Sequence, residues 1–349
     1  MDIDALLKLA LEQNASDLHL LAGTSPALRI DGRIVSMEGT LGPVLTTEKM
    51  VDSLLNDQQK EEFARCRHLG FSFSLEGLGR FRGEVFYNRG RKSAAIRLWA
   101  GEMMALENLG LPAVVENLCR NPHGLILVTG PTGVGKTSTL SAMVDLINRE
   151  RSCKITTIED PIEFVHENKR SIVVQQEVND DTPSFALALV HVLRQDPDVV
   201  VVGEMRSLET IQTTLTAAET GHLVLATLHT NSAAQTIERV IDVFPPHQQH
   251  QVRIQLAGTL LAIISQRLLP RIDDEGRVLA YEVLVNTPAV KNVIRESKTQ
   301  QLQSIMQAGG GMGMCTMDST IERLYHSGQI SYDVAADLVT NRQSLRSNR

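Results

Sequence analysis

Sixteen residues, Leu125 to Leu140 (LILVTGPTGVGKTSTL), constrain this chain more than any others. Leu125 to Val128 are four consecutive apolar residues, which predict a short buried strand. Gly130, Pro131, Thr132, Gly133, Val134, Gly135, Lys136 and Thr137 follow, with Ser138 beside them, and then a helical run. Strand, G-x-x-x-x-G-K-[ST] and helix make a phosphate-binding loop in its proper context. Gly130, Gly133 and Gly135 let successive N–H groups turn inward, and the following helix adds the positive end of its dipole. Lys136 is expected on the β- and γ-phosphates of ATP and the Thr137 hydroxyl on Mg²⁺.

The rest of the chain narrows the class. Its 349 residues suggest about two domains. A net charge of −7 and 4% aromatic residues argue against a protein built to grip nucleic acid. Cys66, Cys119, Cys153 and Cys315 are far apart, so they indicate neither a zinc site nor a disulfide framework. The acidic start is not that of a signal peptide, and the longest apolar run, Leu256 to Ser265, is too short to span a membrane. A soluble cytoplasmic protein is the expectation.

Residues 1–100 read as a small α+β domain with a mostly antiparallel sheet. Helices are predicted at 2–13 and 46–65, a hairpin turning at Asp31-Gly32, and further strands at 71–75, 80–87 and 93–99. Residues 101–123 read as a linker carrying one short helix. From 124 to 349, apolar strands (154–158, 171–174, 198–202, 223–227) alternate with helices (137–149, 184–194, 207–219), which implies a parallel sheet. Ser232 caps a helix to Val243, a long helix is predicted at 247–268, and a strand pair lies around 267–285. The remainder reads as helical, with a loop at Gly309 to Gly313 and a frayed basic tail.

Hydrolysis of ATP needs Mg²⁺, a positioned water and positive charge on the γ-phosphate. The four-valine run Val199 to Val202 ends at Gly203-Glu204, which sets Glu204 at the carboxyl edge of the sheet, near Mg²⁺ or the attacking water. Glu159 and Glu163, after a strand stopped by Pro161, are candidate general bases or metal-shell groups. Two histidines bracket the 223–227 strand. His229, at its carboxyl end, is the better γ-phosphate sensor. His222, at its start, is a nucleotide-site candidate that faces either a subunit interface or a neighbouring loop. Arg80 and Arg82 share a strand face, with Arg97 on the next strand. They form either a solvated basic face or a set of arginine fingers.

These motifs, with Ser16-Asp17-Leu18-His19-Leu20, Arg80-Phe81-Arg82, Glu159-Asp160-Pro161-Ile162-Glu163, Leu193 to Asp198 and Gly203-Glu204-Met205-Arg206, resemble the secretion-type hexameric ATPases, specifically their pilus retraction branch. The segment Ala289 to Glu296 is similar to a helix of retraction ATPases that reads AIRNLIRE, with charge and apolarity kept. Assembly ATPases of that superfamily usually carry a four-cysteine zinc insert, which this chain lacks. The resemblance implies a PAS-like first domain, a RecA-like second domain and a homohexamer whose first-domain arginines complete the nucleotide site. It implies retraction of pili for twitching motility, at the inner membrane, with a platform protein, the pilin machinery and a paralogous retraction ATPase as partners and no nucleic acid. A nucleotide-gated scaffold and a nucleic-acid translocase are the competing readings. DNA-stimulated hydrolysis would favour the latter.

Overall fold

The computed structural model describes residues 2–30, 32–37, 45–75, 78–98, 103–273 and 276–346. The Asp31 of the expected hairpin turn and Trp99 lie outside them. The chain divides into two units. Met1–Glu102 groups with Pro161–Phe164, and Met103–Asp160 with Val165–Arg349.

The first unit runs α1 (Ile3–Glu12), β1 (Asp17–Leu20), β2 (Ala27–Ile30), β3 (Arg33–Ser36), α2 (Leu45–Ser53), α3 (Asp57–Cys66), β4 (His68–Leu75), β5 (Gly79–Asn88) and β6 (Arg91–Leu98). Its strands form one sheet in the order β3-β2-β1-β6-β5-β4, antiparallel throughout. Leu6, Leu7, Leu18, Leu28, Phe81, Val85 and Ile96 fill its core. The helix expected over 46–65 is two helices. Asn56 interrupts it, accepting from the Gln59 N–H at 2.8 Å, while the Gln59 side chain accepts from the Asn56 N–H at 3.0 Å. This capping box satisfies two orphan donors and starts a new helix.

The second unit runs α4 (Val114–Cys119), β7 (Gly124–Thr129), α5 (Lys136–Glu150), β8 (Lys154–Glu159), β9 (Ile172–Glu177), α6 (Phe185–Val192), β10 (Val199–Val202), α7 (Leu208–Glu219) and β11 (Leu223–Leu228). It continues with α8 (Ala233–Asp242), α9 (Pro246–Thr259), β12 (Leu260–Pro270), β13 (Arg277–Val285), α10 (Pro288–Arg295), α11 (Leu302–Ala308), α12 (Met317–His326) and α13 (Tyr332–Ala336). Seven strands form a sheet in the order β13-β12-β7-β11-β10-β8-β9. All neighbours are parallel except the β12–β13 hairpin. The α/β class and the two-sheet architecture are those expected. Apolar groups cover both faces. Val200 and Val202 pack toward Leu189, Ile211 and Ile237, while Val199 and Val201 pack with Met143 and Ile147 of α5.

One further helix is corrected. The helix predicted at 247–268 ends at Thr259, and Leu260 onward is β12, paired in parallel with β7. A strand covered on both faces is a continuous apolar run, so Leu256 to Ser265 carries no alternation to separate the two states. The linker expected at 101–123 is largely part of the second unit. Leu106, Val115, Leu118 and Cys119 are buried in its core beside α5. Among the described residues no helix is long and apolar enough to cross a membrane.

Candidate phosphate site at the carboxyl edge of the sheet

Strand order decides which loops meet. β11 lies between β7 and β10, so the loop after β11 separates the phosphate loop from the loop after β10. All three leave the carboxyl edge, where ligands of open α/β sheets bind. The register places Leu228 opposite Thr129 and Val202 opposite Ala226. His229 is therefore delivered between Gly130 and Glu204.

The phosphate loop keeps glycine where other residues would be strained. Gly130, Gly133 and Gly135 have φ of +141°, +78° and +89°. A Cβ on Gly130 would also collide with the Gln266 carbonyl on β12 and the Val134 side chain. Pro131, Thr132 and Gly133 are exposed, Val134 is buried beneath them, and Thr137 and Ser138 are half-buried on the first turn of α5. Lys136 is buried, and its Nζ donates to the carbonyls of Gly130 at 2.7 Å and Pro131 at 2.8 Å. A phosphate oxygen, as a charged acceptor, binds an ammonium more strongly than a neutral carbonyl does.

Glu204 is held by its loop. The Met205 N–H donates to the Thr227 carbonyl at 3.0 Å, and the Thr227 hydroxyl donates to the Gly203 carbonyl. Both tie the β10 loop to β11. Glu204 Oε1 lies 2.6 Å from Arg206 Nε and 3.0 Å from His229 Nε2. Burial pushes the Glu204 carboxyl up, but the Arg206 hydrogen bond and the nearby His229 override it and hold the group below the usual carboxylate range. His229 Nδ1 lies 3.4 Å from Lys136 Nζ. One tautomer serves both partners, with Nε2–H donating to Glu204 and Nδ1 accepting from Lys136.

Glu159 ends β8, one residue beyond Ile158, which is level with Val202. Its Oε1 accepts from the Thr157 hydroxyl at 2.6 Å and the Gln175 amide at 3.1 Å. Glu163 falls in the segment that groups with the first unit. His222 lies apart from this cluster within the chain. It precedes β11 at the amino edge, where Nδ1 meets the Ala217 carbonyl at 2.9 Å. Six residues of strand, about 20 Å, separate it from His229.

In the first unit the arginines share the sheet face opposite the core. Arg82 pairs directly across from Arg97, and Arg97 from Asp17. Arg97 Nε donates to Asp17 at 3.1 Å, Arg82 lies 3.3 Å from Glu84, and Arg80 Nη2 donates to the Ser72 hydroxyl at 2.6 Å.

Two residues near the site escaped the candidate set. Arg206 was visible two positions after Glu204 within the quoted motif. Gln266, whose amide donates to the Thr139 hydroxyl of α5 at 2.7 Å, was hidden in the mispredicted helix. Among the described residues no three His, Cys, Asp or Glu side chains cluster as a metal cage. One hydroxyl (Thr137) and one carboxylate (Glu204) suit Mg²⁺, which keeps phosphate and water as its other ligands.

Residues 89–347 match the family model described as "Type II/IV secretion system protein". A Pseudomonas aeruginosa protein named "Type IV pilus retractation ATPase PilT" is 45% identical over 97% of this chain and 98% of its own length. The "Type IV pilus ATPase PilU" of the same organism is 39% identical over 99% and 91%. A crystal structure of "the Pilus Retraction Motor PilT and Bound ADP" superposes with a TM-score of 0.92 at 48% identity, covering 100% of both chains. The chain belongs to the type II/IV secretion system protein family and, within it, to the group of the pilus retraction ATPases.

Proposed function

We propose that this protein hydrolyses MgATP and, as a homohexamer, uses the cycle to drive type IV pilus retraction. The observation that carries the reading is the contact chain from Lys136 through His229 to Glu204, which gathers a phosphate cation, a sensor and an acid on one sheet edge. Two relatives support it, one named for pilus retraction and one crystallised with ADP.

The phosphate loop, from Gly130 to Thr137 with Ser138, holds the phosphates. Lys136 exchanges its carbonyl partners for phosphate oxygens; Thr137 and Glu204 would hold Mg²⁺, which would supply positive charge against that developing on the phosphates. Glu204, or Glu159 or Glu163 in its place, orients the attacking water and accepts its proton. His229 reads the γ-phosphate through the atom that faces Lys136. Arg80, Arg82 and Arg97 supply further positive charge from the first domain, residues 1–100, which swings against the ATPase domain, residues 124–349, around the ring. The partners are an inner-membrane platform protein and the pilin machinery, reached from the cytoplasmic side. A PilU-like paralogue is a further partner, and its lower identity to this chain favours the main motor over the accessory role.

ATP turnover by wild type, Lys136→Ala and Glu204→Ala tests the site. Both variants should lose at least about 100-fold. Wild-type turnover by Lys136→Ala would sink the assignment. Supplying the gene to a host that makes pili but does not retract them should restore surface motility. Tight ATP binding with near-zero turnover by the hexamer would favour a nucleotide-gated scaffold.

A further inference from the structure

Glu282 on β13 is a buried carboxylate that the chemistry above does not use. Its Oε1 accepts the Ala233 N–H, the first amide of α8, at 2.7 Å. Next to it, Val283 and Cys315 exchange backbone N–H···O=C bonds at 3.0 and 3.1 Å, which brings the start of α12 and the Met317 N–H, its first amide, beside the carboxylate. One negative group therefore serves the positive ends of two helices, which compensates for part of its desolvation. Burial pushes its pKa up, and these two N–H groups oppose that.

Helix α8 begins four residues after His229, and the intervening chain has no slack. Thr230 and Thr236 hydroxyls meet at 2.7 Å, Ser232 caps the Gln235 N–H, and Thr236 donates to the Ser232 carbonyl at 2.7 Å. A shift of His229 is thus a shift of the first turn of α8. Further along, Glu238 of α8 accepts from the Thr299 hydroxyl just beyond α10 at 2.6 Å and lies 3.4 Å from Arg253 of α9. A cavity of about 260 Å³ opens beside Glu282, lined by Ser232, Thr299, Gln303, Met306 and Met317 among others. Packed helices move only where space permits, and this junction has it.

We propose that α8 transmits the nucleotide-dependent movement of His229 to the C-terminal helices α10–α12, with Glu282 as the positioning residue that joins α8 to α12. The inference rests on the motor reading, because it assigns the output path of that motor. Glu282 sets mechanical coupling and leaves hydrolysis in place.

The test uses the full chain. Amide hydrogen exchange is measured at Ala233 and at Met317 to Ser319, with ADP and with a non-hydrolysable ATP analogue, in wild type, Glu282→Gln and Glu238→Gln. In wild type both segments should respond to the nucleotide. In Glu282→Gln the response at Met317 to Ser319 should vanish while that at Ala233 persists. ATP turnover should stay within about threefold and retraction in cells should fall at least about tenfold. A wild-type-like response at Met317 to Ser319 in Glu282→Gln would overturn the proposal, as would turnover and retraction falling in proportion. Should Glu282→Gln fail to fold, Glu238→Gln, at a half-exposed site, carries the test. Its retraction should fall while turnover holds, and unchanged retraction would refute the path. The exchange response needs only nucleotide binding. A wild type that binds but does not hydrolyse would overturn the motor reading and leave the α8 path standing.

Discussion

His229 Nε2 lies 3.0 Å from Glu204 Oε1, while the other ring nitrogen faces Lys136 Nζ at 3.4 Å. The imidazole thus joins Lys136 to Glu204, the two groups to which the proposed mechanism gives the phosphates and the attacking water. Replacing it with alanine should lower kcat roughly 10- to 100-fold and leave KM within about threefold, because the lost contact matters most as the γ-phosphate departs. Steady-state kinetics over a range of ATP concentrations separates the two constants.

Arg206 occupies Glu204 from the solvent side, with its own side chain 73% exposed. An ion pair that open contributes no more than about 1 kcal/mol to stability. Arg206→Ala should therefore melt within a few degrees of wild type, yet change turnover, since Glu204 loses the neighbour that holds its carboxylate. A variant equal to wild type in turnover would show that the contact is incidental.

Gly130→Ala places a methyl group against the Gln266 carbonyl at a φ of +141°, which alanine rarely adopts. Strain of about 1–3 kcal/mol should distort the phosphate loop. Nucleotide affinity, measured with a fluorescent ADP analogue, should fall at least about tenfold. Gly221→Ala, with a positive φ but nothing near its Cβ position, serves as the control, since it carries backbone strain without the collision.

His166 is buried, and its Nδ1 has no hydrogen-bond partner among the described residues. Burial pushes its pKa down to about 4; Asp145 opposes this and Lys169 adds to it. The folded chain thus binds fewer protons than the unfolded chain between roughly pH 4 and 6.5. The stability associated with neutral His166 is complete above pH 6.5 and is lost as pH falls toward 4, by up to about 3 kcal/mol. Urea unfolding of His166→Gln should show a flatter fall from pH 7 to 5 than wild type. Parallel curves would refute the assignment.

Removing Mg²⁺ with EDTA should stop turnover while ADP binding, measured by the same fluorescent probe, weakens but persists, because the loop amides and Lys136 grip phosphate on their own. Complete loss of ADP binding on chelation would mean that the metal, not the loop, anchors the nucleotide.

How much was legible differs by element. The phosphate loop reads directly, since its spacing is a local rule of backbone geometry. The Val199 to Val202 strand with its terminal acid reads nearly as well, because a buried parallel strand leaves a continuous apolar run. The break at Asn56 was present as an Asn-x-x-Gln capping signal, but the surrounding helical pattern masked it. β12 was not legible. Its apolar run continues that of α9, and only pairing with β7 makes it a strand.

The chain alone determined which groups could bind phosphate, where acids follow strands, and that strands and helices alternate. These follow from near-neighbour sterics and hydrophobic period, which act within a few residues. Tertiary structure decided which of those groups meet. The insertion of β11 between β7 and β10 brings His229 to Lys136 and Glu204 and leaves His222 at the opposite edge, while the pairing of β13 with β12 sets Glu282 at the start of α8. Strand order is fixed by long-range pairing and by the burial of both sheet faces at once, and neither leaves a mark in the spacing of residues along the chain.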